Sequence, residues 1–253
     1  MIWRVVGASE VGTSHIAVGR GCEDSCWAQV GLTASNLPFL QLFVADGAGS
    51  ASNGGEGAEL AIQAAVAFID KKLELPEFGL SDELATQCVI AIREKVYARA
   101  DALGLKARDF ACTFLGVLSC QLGTLVLQIG DGGIVLDVGQ GLEVPVVPMS
   151  GEYANMTHFL TDDDAINQMV TKTFPSIALR VAVFSDGLQR LALNMADNTA
   201  YEPFFSNFFT VLGGSAPDQE DQLQGALVRF LQSSAVNDRT DDDKTLALAV
   251  LLN

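Results

Sequence analysis

Hydrophobic and polar residues change their spacing along the first hundred positions of the chain. Short apolar runs between turn residues come first, and they predict β-strands at residues 2–6, 27–32 and 39–45. A loop rich in glycine and serine follows at 47–57. Apolar residues then recur at intervals of three and four through 58–73 and 81–103, which predicts two helices. Ser81 is the expected N-cap of the second helix.

The later part of the chain returns to strand patterns before two more helices. The predicted strands are residues 112–118, 125–129, 134–138, 181–184 and 245–252. Helical spacing recurs at 201–212 and 218–232, whereas 143–161 has no clear period and is expected to be a loop. A tight turn at 130–133 is expected between two of the strands. This order predicts one α+β domain over 1–253 with a largely antiparallel sheet.

Composition narrows the classes of function. Of 253 residues, 49% are hydrophobic and 18% are charged, so a mostly disordered chain is excluded. The formal net charge of -16 disfavours binding to nucleic acid or to anionic membranes. No apolar run reaches the length of a spanning helix and no secretory signal begins the chain, so we expect a cytoplasmic protein. An anionic substrate would require bound divalent cations to reverse the local field.

The five cysteines are most simply explained as free thiols in a reducing compartment. Cys22 and Cys26 are four positions apart, a spacing that zinc ligands can have. The rest of a zinc set is missing, because there is no second close cysteine pair and the chain contains only two histidines.

Carboxylates occur where predicted strands begin or end. Asp46, Asp131 and Asp186 each follow a strand-like run and precede a glycine. Residues 241–243 and 23–24 are acidic and directly precede other strands. Carboxylates that converge on one rim of a sheet repel one another unless a cation compensates them, and hard oxygen ligands select Mg²⁺, Mn²⁺ or Ca²⁺. The alternative is that Asp-Gly marks ordinary turns, Asp131 being the clearest instance.

Other catalytic devices are weak in this chain. It contains no cysteine followed six positions later by arginine, no G-x-S-x-G sequence and no G-x-x-x-x-G-K-[ST] loop. Two histidines are too few for a histidine-rich metal centre. A carboxylate-held pair of metal ions that activates water is therefore the strongest chemistry available.

The ordered motifs resemble the metal-dependent protein phosphatases (PPM, type 2C), a family of serine/threonine phosphatases, and in particular its bacterial members. The matching segments are CEDS at 22–25, VADGAGSASNGGEGA at 44–58, IGDGGIVL at 129–136, VFSDGLQRL at 183–191 and DDKTLALAV at 242–250. The resemblance implies two packed antiparallel β-sheets flanked by helices, a four-layer αββα sandwich. It also implies two Mg²⁺ or Mn²⁺ ions in a cleft at one end and phosphorylated proteins as substrates.

The resemblance also implies a role for each matching residue. Asp46 would bridge both ions, and the Gly47 carbonyl and Glu23 would complete the shell of the second ion. The first ion would be held by Asp186 and Asp242. Asp24 would orient metal-bound water, and a hydroxide between the ions would attack phosphorus in line, without a phosphoenzyme. The roles that the resemblance assigns to metal and catalysis are thus carried by Glu23, Asp24, Asp46, Gly47, Asp186 and Asp242.

Several positions depart from the family pattern. Where many relatives carry an arginine that grips the substrate phosphate, this chain has Gly19, and Arg20 follows it. Arg20 could grip the phosphate, His15 could do so, or the metals could suffice; Arg20 could also be a solvated loop charge. Ala48 replaces a histidine that some relatives use as a general acid, and Asp243 replaces an asparagine. Asp109 could serve a third metal or be an exposed turn carboxylate, and Thr113 is expected to be structural.

The missing arginine and histidine leave a second function open. The chain could be a pseudophosphatase that keeps the fold and binds phosphorylated partners, whereas a Ca²⁺-stabilised structural domain lacks an EF-hand loop to support it. The segment GEYANMTHF at 151–159 corresponds to a variable flap beside the cleft in the family. It could select substrates or simply pack on the domain. A serine/threonine kinase is the natural opposing partner.

Overall fold

The computed structural model describes residues 2–148 and 157–252, and its main feature is a pair of antiparallel sheets packed face to face. In spatial order, the first sheet contains β1 (Ile2–Glu10), β11 (Lys244–Leu252), β8 (Arg180–Phe184) and β6 (Gly133–Asp137). The second contains β2 (Asp24–Leu32), β3 (Pro38–Asp46), β4 (Phe114–Cys120), β5 (Gly123–Ile129) and β7 (Val170–Phe174). Two short strands, β9 (Leu193–Asn194) and β10 (Thr199–Ala200), pair separately.

Helices cover the outer face of each sheet. The longer ones are α2 (Gly54–Leu73), α3 (Asp82–Leu103), α6 (Glu202–Gly214) and α7 (Glu220–Leu231). The single-turn ones are α1 (Thr13–Ala17), α4 (Ala165–Gln168), α5 (Gln189–Ala192) and α8 (Ser234–Asn237). The pair α2 and α3 packs on the second sheet, while α6 and α7 pack on the first. The predicted arrangement of two antiparallel sheets flanked by helices is therefore confirmed.

Alternation along β3 shows how the layers arise from the sequence. Phe39 and Phe43 face the helices α2 and α3, while Leu40, Leu42 and Val44 face the other sheet. All five side chains are fully buried. Gln41 is the one polar residue before Asp46, and its amide donates a hydrogen bond of 2.8 Å to Asp70 of α2. A strand that is otherwise apolar is typical of a sheet covered on both faces.

The ends of α3 agree with the sequence. Ser81 is its N-cap, and the Ser81 hydroxyl accepts a hydrogen bond of 3.2 Å from the backbone N–H of Leu84. Gly104 ends the helix with a positive φ of 68°, which glycine adopts at little cost. The preceding helix, α2, begins at Gly54, four residues earlier than the apolar spacing predicts, because the glycine-rich loop supplies its first turn.

The tight turn expected at 130–133 does not join two paired strands. Strands β5 and β6 on either side of this turn belong to different sheets, and Gly130, with a φ of 109°, begins the crossing between them. The crossing carries Asp131 to the end of the sandwich where β3 and β8 also finish. Strand β7 was also missed by sequence reasoning, since its half-exposed residues lack the apolar alternation of an inner strand.

Three smaller expectations concern membrane-spanning helices, the cysteines and the flap. None of their helices is both long and apolar enough to cross a membrane. All five cysteines, which these ranges include, are free of disulfide bonds. The first part of the predicted flap, residues 151–156, lies outside the described residues.

Candidate metal centre

A small acidic cleft opens at the end of the sandwich where β3 and β8 finish and β11 begins. Its cavity has a volume of about 170 Å³. The cleft contains polar groups from six sequence-distant elements, namely His15, Gly47, Thr113, Asp131, Thr157 and Asp242, together with the strand-end carboxylates Asp46 and Asp186. Strand ends are rigid, so these carboxylates are held together by the two sheets and not by a flexible loop.

Asp46 and Asp186 of the cleft are largely buried near a third carboxylate, Asp24, and none of the three makes an ion pair with a cationic side chain of the described residues. Burial and the neighbouring negative charges of Asp24, Asp186 and Asp242 raise the pKa of Asp46 well above its ordinary value. Burial, with Asp131 and Asp242 nearby, raises the pKa of Asp186 to about 6. Burial is also the main reason that the pKa of Asp24 is raised to about 7. Such a group of carboxylates is costly unless positive charge is added to it.

Buried oxygens in this group lack protein partners. Oδ2 of Asp24 accepts hydrogen bonds of 2.7 Å from the hydroxyls of Ser185 and Thr245, whereas its Oδ1 has no partner among the described residues. Oδ1 of Asp186 is likewise buried and without a partner in the described ranges. Unsatisfied buried carboxylate oxygens at converging strand ends fit hard divalent cations, which prefer oxygen ligands.

Backbone hydrogen bonds hold Glu23 next to this group of carboxylates. Its carbonyl accepts a hydrogen bond of 3.1 Å from the N–H of Gly47, and its own N–H donates to Oδ2 of Asp243 at 2.5 Å. The Glu23 carboxylate, however, pairs with Arg20, whose Nη2 lies 2.7 and 2.8 Å from the two carboxylate oxygens. Nη1 of Arg20 also donates to the carbonyl of Gly49 at 3.3 Å. Arg20 is thus paired with Glu23, and its side chain remains about one-third exposed.

His15 reaches the cleft from the short helix α1. Its Nδ1 lies 3.0 Å from Oδ2 of Asp243, but the two atoms are not aligned for a hydrogen bond. Asp243 also accepts a hydrogen bond of 2.6 Å from the N–H of Gly12. Sequence reasoning treated Asp243 as a replacement for asparagine, whereas here it anchors the segments that carry both His15 and Glu23.

Asp131 lines the cleft, although its sequence pattern also fits an ordinary turn. It follows a strand and precedes a glycine, as Asp46 and Asp186 do, and that shared pattern was the available signal. Its Oδ2 accepts a hydrogen bond of 2.5 Å from the hydroxyl of Thr157. Because its strands join different sheets, Asp131 lies at the cleft and contributes to the raised pKa of Asp186.

Three other residues named in the sequence analysis also bear on this cleft. Asp109 does not line the cavity, and its Oδ2 accepts a hydrogen bond of 3.0 Å from the N–H of Lys106 within a short 3₁₀ helix. Thr113 has the structural role expected of it, because its hydroxyl accepts a hydrogen bond of 3.0 Å from the N–H of Asp46. Ala48 places only a methyl group at the cleft wall.

The raised pKa values predict an unusual pH dependence of stability in metal-stripped protein. Between the ordinary and the raised pKa of an aspartate, the folded protein binds more protons than the unfolded chain, so stability falls as pH rises. For Asp24 and Asp186 this window runs from about pH 4 to pH 7. We expect the free energy of unfolding, measured with urea in the presence of a chelator, to fall by about 4 kcal/mol between pH 5 and pH 8. A free energy of unfolding that stays constant or rises over this range would contradict the electrostatic description of the cleft.

Comparisons with known proteins place the chain in a family. The family model described as Protein phosphatase 2C matches residues 11–232. A curated relative, "Serine/threonine-protein phosphatase 3" of Escherichia coli (strain K12), is 54% identical over 250 residues, which cover 99% of each chain.

Solved structures of low sequence identity share the fold. The catalytic domain of the serine/threonine protein phosphatase PstP in complex with two manganese ions matches with a TM-score of 0.64 and 17% identity, covering 99% of each chain. The serine/threonine phosphatase Stp1 from Staphylococcus aureus matches with a TM-score of 0.62 and 15% identity, covering 100% of this chain and 96% of that one.

Proposed function

The chain belongs to the protein phosphatase 2C family and is a metal-dependent serine/threonine protein phosphatase, and we propose that the acidic cleft is its catalytic centre. The observation that carries this assignment is the buried group of Asp46, Asp186 and Asp24, whose charges repel one another without a cation. We assign to the cleft two ions of Mg²⁺ or Mn²⁺ and the hydrolysis of phosphoserine and phosphothreonine in proteins.

The proposal gives roles to residues in and beside the cleft. Asp46 would serve both ions, Asp186 and Asp242 would hold the first, and the Gly47 carbonyl and Glu23 would serve the second. When bound, the ions would supply a hydroxide for in-line attack on phosphorus and neutralise the phosphoryl oxygens, without a phosphoenzyme. Asp24 orients the attacking water through Oδ1, the oxygen that Ser185 and Thr245 leave free. Asp131 adds a further carboxylate near Asp186. Asp109, which the sequence analysis considered for a third metal, does not line the cleft.

Arg20 and His15 are the proposed phosphate-binding residues. Arg20 lies beside the second-ion ligands because it pairs with Glu23, and its side chain remains about one-third exposed. A guanidinium at this position can bind Glu23 and a phosphate oxygen together, since it has five donors. His15 lines the cavity, and its Nδ1 lies 3.0 Å from Oδ2 of Asp243. Because Ala48 has no proton to give, the leaving group takes its proton from water.

The net charge and the position of the cleft bear on the partners, the location and the domain organisation of the protein. A net charge of -16 disfavours nucleic acid and anionic membranes as partners. Phosphorylated proteins are the substrates, and we propose that a serine/threonine kinase opposes the enzyme in the cytoplasm. We also propose that residues 1–253 form one catalytic domain, because both sheets contribute residues to the same cleft.

The proposal is tested by hydrolysis of p-nitrophenyl phosphate and phosphorylated casein by metal-stripped protein, with Mn²⁺, Mg²⁺, Ca²⁺ or no metal added. Turnover that requires Mn²⁺ or Mg²⁺ is expected, and the Arg20→Ala variant should raise KM for both substrates. The absence of turnover with every metal, in protein shown to be folded, would contradict the catalytic assignment and favour a phosphoprotein-binding role. An unchanged KM in Arg20→Ala would contradict the phosphate-binding role of Arg20 alone.

A further inference from the structure

Residues 157–162 have no regular secondary structure, and two side chains of α3 bind this segment. Its first residues form one wall of the cleft. Nη1 of Arg93 donates hydrogen bonds to the carbonyls of Leu160 and Asp162, the second at 2.6 Å. Nη2 of Arg93 donates to the hydroxyl of Tyr97 at 3.0 Å. That hydroxyl in turn donates to the carbonyl of Thr161 at 3.0 Å. Three consecutive backbone carbonyls are thus bound by α3 side chains.

The segment held in this way ends at the catalytic cleft. Thr157 and Phe159 both line the cleft, and the Thr157 hydroxyl donates to Asp131. The N–H of Leu160 donates a hydrogen bond of 2.9 Å to the carbonyl of Cys112, so the segment is also tied to the residues that precede β4. Leu160 itself is fully buried. The wall is therefore fixed at Leu160 and placed against the cleft at Thr157 and Phe159.

The hydrogen bonds from Arg93 and Tyr97 are expected to stabilise the conformation of this segment. A charged guanidinium donates stronger hydrogen bonds than a neutral group, and its planar fork can bind two carbonyls at once. Carbonyls outside helices and sheets need such partners when they are partly buried, because an unpaired buried carbonyl destabilises the local conformation. Without Arg93, the Leu160 and Asp162 carbonyls lose these donors and the wall gains other conformations.

We propose that Arg93 and Tyr97 are positioning residues that fix the Thr157–Phe159 wall and thereby set the affinity for phosphoprotein substrates. The inference rests on the proposed catalytic centre and adds to it a determinant of substrate class. A small phosphate ester fills only the space beside the metal ligands. A phosphorylated protein must also pass its flanking residues over the rim, where Phe159 offers an apolar surface and Thr157 a polar one. Displacement of the wall should therefore affect the large substrate more than the small one.

The test compares Arg93→Met and Tyr97→Phe with Arg99→Met, a matched control on the same helix. Arg99 makes an exposed ion pair with Glu56 and lies outside the wall. In Arg93→Met we expect KM for phosphorylated casein to rise about tenfold, while kcat for casein and kcat/KM for p-nitrophenyl phosphate stay within about twofold of wild type. Tyr97→Phe removes one hydroxyl and should raise KM for casein about threefold. Arg99→Met should change neither substrate.

Two further measurements separate positioning from a general loss of structure. Hydrogen exchange at the Leu160 amide should become faster in Arg93→Met, and Arg93→Lys should restore part of the casein affinity, since lysine can donate to one carbonyl. Equal losses for casein and p-nitrophenyl phosphate, or an unchanged KM for casein in both variants, would overturn the inference. If Arg93→Met does not fold, the same criteria apply to Tyr97→Phe. Failure of wild-type protein on both substrates would instead count against the proposed catalytic centre.

Discussion

Replacing Asp46 with asparagine is expected to lower kcat/KM for p-nitrophenyl phosphate by about 10³-fold or more. The substitution removes the charge that bridges both proposed cation positions and keeps the size of the side chain. The same change should stabilise the metal-free protein, because it removes one of the buried, mutually repelling carboxylates. We expect the free energy of unfolding of the metal-free variant at pH 8 to exceed that of wild type by about 1–3 kcal/mol.

An Asp46→Asn variant that loses activity but gains stability without metal distinguishes the loss of a metal ligand from general damage to the fold. Added Mn²⁺ should raise the melting temperature of wild type and should have little effect on Asp46→Asn, because ligands stabilise only the state that binds them. Asp101→Asn serves as the matched control, since Asp101 is exposed at the end of α3. An Asp46→Asn protein that keeps wild-type turnover, or that loses stability without metal, would contradict the assigned role of Asp46.

Adding a methyl group at Gly187 should damage both the fold and the site. A Cβ atom there would lie 2.1 Å from the carbonyl oxygen of Asp243 and 3.5 Å from Cβ of Asp242. Because the first of these is a backbone atom, the chain must move apart at the point where Asp186 and Asp242 face each other. We expect Gly187→Ala to lose about 3 kcal/mol of unfolding free energy and about 10²-fold in kcat/KM.

The comparison for this prediction is Gly79→Ala. Gly79 has open space around its Cβ position and no positive φ, so alanine should be tolerated there with no loss of activity. Chemical denaturation and the p-nitrophenyl phosphate assay measure both effects in each variant. Wild-type stability in Gly187→Ala would mean that the turn after β8 can relax without cost, and the close approach of the two segments would then have no functional importance.

The strand-end carboxylates could be predicted from sequence because the relevant information is local. Asp46 and Asp186 each close an apolar run and precede a glycine, and a strand followed by a turn fixes where such a residue lies. Ser81 as an N-cap was predictable for the same reason, since capping depends on a few neighbouring residues.

Long-range pairing explains what the sequence did not reveal. Which sheet a strand joins depends on partners far along the chain, so Asp131 looked like the tip of a hairpin although it lies between the two sheets. The contacts of Arg93 span 67 and 69 residues, and no local pattern indicates them. The ion pair of Arg20 with Glu23 is local in sequence, but a loop has no fixed side-chain period from which to predict it.

The central claim is that the carboxylates of Asp46, Asp186 and Asp242 hold two divalent cations. Crystals grown with Mn²⁺ and measured at the manganese absorption edge test this claim most directly. We predict two anomalous peaks in the cleft, both next to the carboxylate of Asp46. An empty cleft would contradict the claim, as would peaks confined to the surface group of His158, Asp162 and Asp164, whose donor atoms lie within 4.8 Å of one another.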